Sequence, residues 1–248
     1  MDLLKVDNLS ISFGGIQAVK NVSFSVQEGE RLAIIGPNGA GKTTLFNLLT
    51  GHLKPTNGKV YFKGQNITNL PIYTRIHLGM ARSFQIVSLF PELDILTNTL
   101  ICILGTRKSR YSFFQPIIKN KELYNKAEQL LNSMDLWERR LEPVHSISHG
   151  EQRKLEIVLS LASDPKLLLL DEPSCGLTSA ESADIITRVR NLGSKITVVM
   201  IAHDMDLVFG VAQRILLLHY GELLCQGTCD EIRINPKVKE IYMGTLEK

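Results

Sequence analysis

The sequence predicts an α/β fold: a parallel-sheet core, an N-terminal antiparallel β subdomain and an inserted helical subdomain. Three observations predict it. Residues Gly36–Thr44 read Gly-Pro-Asn-Gly-Ala-Gly-Lys-Thr-Thr and fit the pattern G-x-x-x-x-G-K-[ST]. Leu167–Leu170 and Thr197–Ile201 are continuous apolar runs of the kind that parallel strands buried on both faces require. The strand-like stretches near the N-terminus follow one another without helices between them, which favours antiparallel pairing.

In chain order, Leu3–Val6, Leu9–Phe13 and Ala18–Val26 read as strands, with Gly14-Gly15 as a break and Glu28-Gly29-Glu30 as a turn. Leu32–Ile35 is a short buried strand leading into the glycine loop. Leu45, Leu48 and Leu49 then recur at helical spacing, and Gly51 is placed to end that helix. Lys54-Pro55-Thr56-Asn57-Gly58 is a turn, and Lys59–Phe62 one more strand. From about Leu70 the texture becomes helical: Tyr73–Met80, a short strand at Ala81–Gln85, then helices over Leu93–Leu104 and Lys121–Met134. Arg107–Phe114 interleaves basic and aromatic residues, as some nucleic-acid surfaces do; a solvated loop with its aromatics tucked underneath is the preferred reading. Arg214–Leu218, Tyr220-Gly221 and Leu223–Gln226 form a hairpin, and residues 229–243 a closing helical region.

The chemistry gathers around the loop. Its glycines let successive backbone N–H groups turn toward one anion, and the following helix N-terminus adds its dipole. Lys42 is placed to reach outer phosphates and the Thr43 hydroxyl to ligate Mg2+. Asp171 and Glu172 end the four-leucine strand, expected beside the loop strand; Asp171 suits Mg2+, and Glu172 suits a general base that polarises water. Ser148 opens a helix with Leu155, Val158, Leu159 and Ala162 on one apolar face. Ser148 with Glu151 is an ordinary capping box, and equally a second phosphate-binding surface; the residues alone leave both open. His203 ends another core strand, where it can hydrogen-bond a phosphate or simply be a satisfied polar residue.

Composition bounds the rest. The 248 residues are 44% hydrophobic, enough for one large core with an inserted subdomain. A net charge of +3 is too small to argue for a nucleic-acid partner. No apolar run reaches the roughly 18 residues of a membrane span, and Met1–Lys5 lacks a signal-peptide pattern, so a cytosolic chain is expected. Cys102, Cys175, Cys225 and Cys229 lack metal-ligand spacing and read as reduced thiols.

Gly36–Thr43, Gln85, Ser148–Gln152, Leu167–Glu172 and His203 stand in the order seen in ABC-type ATPases, and the chain resembles that family along essentially its whole length. The resemblance implies a single cassette over 1–248. Residues 1–85 and 151–248 would form a RecA-like core with its antiparallel subdomain, and 86–150 the helical insertion. It implies ATP and Mg2+ as cofactors. Phe13 would stack on adenine, and Gly36, Pro37, Asn38, Gly39, Ala40, Gly41, Lys42, Thr43 and Thr44 would surround the phosphates. Thr43, Gln85 and Asp171 would serve the metal; Lys42, Glu172, Gln85 and His203 would carry catalysis, with His203 as the switch histidine. Ser148 and Gly150 resemble the signature that grips the γ-phosphate of ATP held by an opposing subunit.

The chain departs from the family's usual pattern in three places. His149 stands where the Leu-Ser-Gly-Gly-Gln signature has glycine, putting a titratable ring near phosphate. Thr178 stands where the D-loop usually has Asp, and Phe13 where Tyr is commoner. His203–Phe209, Leu218–Gly221 and the ending Ile232…Gly244 look like the ATPases of branched-chain amino-acid and urea/amide importers; the lipopolysaccharide-export ATPase has a similar tail. Expected partners are a second cassette (a copy or a related ATPase), membrane permease subunits and, indirectly, an extracytoplasmic solute-binding protein. The expected location is the cytoplasmic face of the membrane. A non-transport ABC ATPase acting on nucleic acid would carry long heptad insertions or two nucleotide domains, and neither pattern is present. A P-loop kinase or GTPase leaves the Ser148 segment unexplained.

Overall fold

The computed structural model describes residues 2–83, 89–106 and 121–243. The N-terminal part holds β1 (Asp2–Phe13), β2 (Ile16–Gln27), β3 (Arg31–Ile35), α1 (Lys42–Thr50), β4 (Asn57–Phe62), β5 (Gln65–Asn66), α2 (Ile72–Leu78) and β6 (Met80–Arg82). The middle holds α3 (Ile95–Thr106), α4 (Lys121–Ser133), a 3-10 turn over Val144–Ser146 and α5 (His149–Leu161). Then follow β7 (Leu167–Asp171), α6 (Ser179–Arg190), β8 (Thr197–Ile201), α7 (Met205–Val211), β9 (Arg214–His219), β10 (Glu222–Thr228), α8 (Cys229–Ile234) and α9 (Pro236–Met243).

The described strands form two sheets. The larger runs β10-β9-β3-β8-β7-β6, parallel except where β10 folds back on β9. The smaller, β2-β1-β4-β5, is antiparallel throughout. This is the predicted combination of a parallel core and an antiparallel N-terminal sheet. One expectation fails: β8 separates β3 from β7, so the strand ending at Asp171 is not beside the loop strand. Adjacency in a parallel sheet is set by crossovers that skip a position, and apolar runs do not encode that.

Successive side chains of a strand point to opposite faces, so each buried strand feeds two cores. Leu32, Ile34, Leu167, Leu169, Val199 and Ile201 join the smaller sheet and the Leu45, Phe46, Leu48 and Leu49 face of α1. That places α1 between the two sheets. Ala33, Ile35, Leu168, Leu170, Val198 and Met200 face the opposite core, shared with α3, α4 and α5. Leu96, Leu100, Ile103, Leu123, Ala127 and Leu131 of the inserted stretch belong to this second core. The insertion is therefore packed onto the sheet as well as onto itself.

Element ends follow local chemistry. β1 is continuous where two stretches are expected, because the Asp7-Asn8 interruption is absorbed as an irregularity between Val6 and Leu9. Asn8 sits there at φ 48°, a region asparagine tolerates, with its N–H donated to Ser23 Oγ at 2.8 Å. Gly14 and Gly15 at φ 51° and 89° make the two-residue hairpin turn that a right-handed strand twist favours. α2 stops at Leu78 rather than Met80: Gly79 turns left-handed and donates to Ile76 O, freeing Met80 to start β6. Gly51 closes α1 the same way. Arg75, 2% exposed, completes that end by donating to the carbonyls of Leu48 and Leu49 as well as Leu70 and Thr68. A cation there meets the negative end of the helix dipole, and burial lowers its pKa to about 10.

Candidate active site

The loop after β3 ends on Gly41, which caps α1 at φ 96° and brings no side chain to the helix end. The first amides of α1 thus face outward without a side-chain acceptor, the arrangement that binds anions. The loop's shape is enforced from outside. A Cβ on Gly36 would run into the Leu218 carbonyl, and one on Gly41 into the Ala18 carbonyl. Gly221 donates to Ala40 O at 3.0 Å and accepts from Lys20 N at 2.7 Å, so β2 and the β9–β10 turn hold the loop between them. Lys42 is 7% exposed, and its ammonium donates to Gly36 O at 2.7 Å and Pro37 O at 2.9 Å. Burial pushes its pKa down, and the charges of Glu172 and Asp171 oppose that shift.

Those two carboxylates stand across β8. Asp171 is 1% exposed; Arg82 donates to its Oδ2 at 2.7 Å and, through its other terminal nitrogen, to Asn47 Oδ1 of α1 at 2.7 Å. Arg82 thereby ties the carboxylate strand to the helix that follows the loop. Glu172 leaves the sheet at φ 47°, a left-handed conformation that costs a non-glycine residue about 1–2 kcal/mol. Its N–H still reaches Ile201 O at 2.9 Å, and its carbonyl accepts from the buried Arg153 at 2.8 Å. The turn lifts the carboxylate out of the sheet, where Glu172 Oε1 stands 3.6 Å from His203 Nδ1.

Ser148 caps α5: its Oγ accepts from Glu151 N, and its own N–H donates to a Glu151 carboxylate oxygen. Burial opposes the charge on Glu151, but the Ser148 amide and Arg139 outweigh it and hold the carboxyl below its ordinary range. Gly150 is narrower still. Glu181, which also completes a capping box with Thr178 at α6, lies against Gly150, and a Cβ there would come within 2.5 Å of its Oε1. The Thr178 amide and hydroxyl, followed by the Gly150 amide, hold the Glu181 carboxyl low. A Cβ on Gly176 would lie 3.4 Å from His149 Cε1. The unusual His149 and the segment carrying the unusual Thr178 are therefore neighbours.

The predicted residues thus divide in space. Gly36–Thr44, Asp171, Glu172 and His203 converge at the C-terminal ends of β3, β7 and β8. Phe13, 47% exposed, ends the β1 strand whose hairpin partner reaches the loop at Ala18. Ser148 and Gly150 sit at a separate helix end, capped by the chain's own groups. Gln85 lies outside the described residues, as do Arg107–Phe114. Sequence reasoning missed Arg82, Arg153 and Glu181. Nothing in their local spacing marks them, since each acts on a group more than fifteen residues away.

A strand, an anion-binding loop, a helix and a carboxylate-bearing parallel strand define a P-loop nucleotide-binding cassette. Residues 19–175 match the model of the ABC transporter family, and the chain belongs to that family. It is similar to the high-affinity branched-chain amino acid transport ATP-binding protein LivG of Salmonella typhimurium, 36% identical over 98% of both chains. It is also similar to a solved ABC-transporter cassette in its ADP conformation (32% identity, 98% of this chain and 99% of that one, TM-score 0.88). A dimeric cassette solved in a post-hydrolysis state with ADP and Pi matches at 27% identity, 91% and 98% coverage and TM-score 0.75. The chain is an ABC ATPase.

Proposed function

We propose that this chain is the ATP-hydrolysing motor subunit of an importer of branched-chain amino acids or a related small amide or urea solute. The observation that carries the nucleotide site is the side-chain-free N-terminus of α1 beside the buried Lys42, with Asp171 and Glu172 within electrostatic reach. The cargo class rests on the likeness to LivG over nearly the full length of both chains.

In this reading the loop and the amides of Lys42, Thr43 and Thr44 cradle the β- and γ-phosphates, and Lys42 exchanges its loop carbonyls for phosphate oxygens. Phe13 lies under adenine. Among the described residues no cluster of three His, Cys, Asp or Glu could hold a metal. Mg2+ would be held partly by phosphate, with Thr43, Asp171 and Gln85 as the protein's share. Mg2+ supplies charge neutralisation between the phosphates. Glu172 accepts the proton of the attacking water, and His203, 3.6 Å away, contacts the γ-phosphate. Ser148 and Gly150 would meet the ATP of a second cassette, a copy or a related ATPase, so that γ-phosphate bridges two surfaces and hydrolysis removes the bridge. The whole chain works as one cassette, with 86–150 as the part that faces permease subunits at the cytoplasmic face of the membrane. No helix among the described residues is long and apolar enough to cross a membrane.

The test is uptake of labelled leucine, isoleucine, valine and urea by cells carrying the parent or a deleted gene, with permease co-purification from native membranes. Loss of branched-chain amino-acid or urea/amide uptake on deletion supports the reading. Unchanged uptake of all four, or a chain that never co-purifies with a membrane protein, overturns it.

A further inference from the structure

Asp171 is held from β6 in two ways. Arg82 Nη2 donates to its Oδ2 at 2.7 Å, and the Asp171 backbone N–H donates to Ser83 Oγ at 3.3 Å. The other carboxylate oxygen, Oδ1, accepts no hydrogen bond among the described residues. Asp171 is 1% exposed, and its charge favours the Lys42 ammonium against burial. A buried carboxylate with one oxygen committed and one uncommitted, close to the helix that begins with Lys42 and Thr43, suits a hard cation that takes oxygen ligands.

The same guanidinium is anchored a second time. Its Nη1 donates to Asn47 Oδ1 at 2.7 Å and to Thr50 Oγ1 at 3.4 Å, both on α1. Thr43, Asn47 and Thr50 recur at steps of four and three, so they share one face of that helix. One planar group therefore bonds both the Asp171 carboxylate and the Thr43 face of α1. The fork carries a cost. Arg82 Nε is buried and has no hydrogen-bond partner among the described residues, and an unpartnered buried donor is destabilising. A lysine would bring the same charge without that donor. What a lysine lacks is the rigid fork that aims at two acceptors at once. An ion pair kept for its charge alone would not need the second aim at Asn47.

We propose that Arg82 is a positioning residue for Mg2+ binding: its fork sets the Asp171 carboxylate in register with the face of α1 that carries Thr43, so that the two side chains serve one ion. Hydrogen-bond partners of a metal-serving carboxylate tune metal affinity as well as orientation. The inference rests on the reading of Thr43 and Asp171 as the protein's share of an Mg2+–ATP site. It depends neither on the cargo nor on a second cassette.

The test titrates the full chain with a non-hydrolysable ATP analogue, once in excess Mg2+ and once in a chelator. The ratio of the two dissociation constants is the gain from metal, read without turnover. Removing Arg82 outright breaks a buried ion pair and endangers the fold, so two milder variants are used. Arg82→Lys keeps the charge with a single aim; Asn47→Ala keeps the pair with Asp171 and frees it from α1. Arg82→Lys should reduce the gain by about tenfold, and Asn47→Ala by about threefold. The dissociation constant in chelator and the thermal midpoint of the nucleotide-free chain should stay close to the parent's. An unchanged or larger gain in Arg82→Lys overturns the positioning role, and a parent-like gain in Asn47→Ala overturns the tie to α1. Affinity in chelator that falls as far as the gain overturns both, since that marks general damage to the site. A parent chain whose affinity ignores Mg2+ would instead sink the metal reading of Thr43 and Asp171.

Discussion

Two helix N-termini in this molecule have opposite treatments. α1 begins on Gly41, which has no side chain, so its first amides carry no internal acceptor. α5 begins on Ser148 with a complete capping box, and the Glu181 carboxylate of α6 lies against the next turn at Gly150. A capped helix end has its donors satisfied within the chain and gains about 1 kcal/mol from it. An uncapped one forgoes that stabilisation and leaves the donors for a ligand. The first end is an anion site that a single chain already offers. Under the proposed function the second would become one as the phosphate of a second, nucleotide-loaded cassette displaces the chain's own carboxylates.

The comparison can be broken in several ways. The largest expected effect lies outside both helix ends: Glu172→Gln should retain ATP affinity and lose turnover by about 10²–10⁴-fold, the range that general-base catalysis supplies. Steady-state phosphate release beside a nucleotide-binding titration checks this, and parent-like turnover would remove Glu172 from the base role. Lys42→Ala attacks the α1 end. A hydrogen bond to a charged group is worth about 1.5–3 kcal/mol, so affinity should weaken roughly 10–100-fold; an unaltered dissociation constant would mean that the amides suffice without the ammonium.

Smaller effects probe α5. Glu181→Gln neutralises the carboxylate that lies against Gly150. In a Glu172→Gln background it should tighten ATP-dependent self-association by a few fold, because the competing carboxylate is neutralised. Sedimentation at graded ATP reads this, and looser association would show that Glu181 supports the bound state rather than competing with it. Ser148→Ala should cost about 1 kcal/mol of stability, seen as a lower denaturation midpoint. The acid response carries a sign as well. Glu151 and Glu181 titrate below their ordinary value in the folded chain, so their contribution is complete above the unfolded carboxyl pKa of about 4.3 and is lost as pH falls through the folded value. Glu151→Gln should therefore flatten the decline of stability on acidification below about pH 5; an identical acid profile would detach the cap from that decline.

Legibility in the sequence followed the range of the interaction. The loop Gly36–Thr44, the buried strands and the capping box at Ser148 could be read because each depends on spacing within a dozen residues. The capping box was even readable in both of its senses, and the fold supports its structural sense within one chain. Strand order was not readable: nothing in Leu167–Asp171 says that β8 lies between it and β3. The same holds for Arg82 on Asp171, Arg153 on the Glu172 carbonyl and Glu181 on Gly150. Any buried arginine or capping glutamate has the same local signature, and only packing assigns its second partner.

By itself the sequence determined that this chain has an anion-binding loop on a strand–helix junction, a carboxylate pair ending a buried strand, and two sheets of different type. Those depend on backbone conformations and hydrophobic periods that neighbouring residues impose. Tertiary structure alone decided which helix end is open and which is filled, and how the carboxylates face Lys42 across an intervening strand. It also decided that a buried arginine of α5 holds the carbonyls of the turn at Glu172. Such contacts join residues far apart in the chain, and their energy exists only once both cores have closed and excluded water from them.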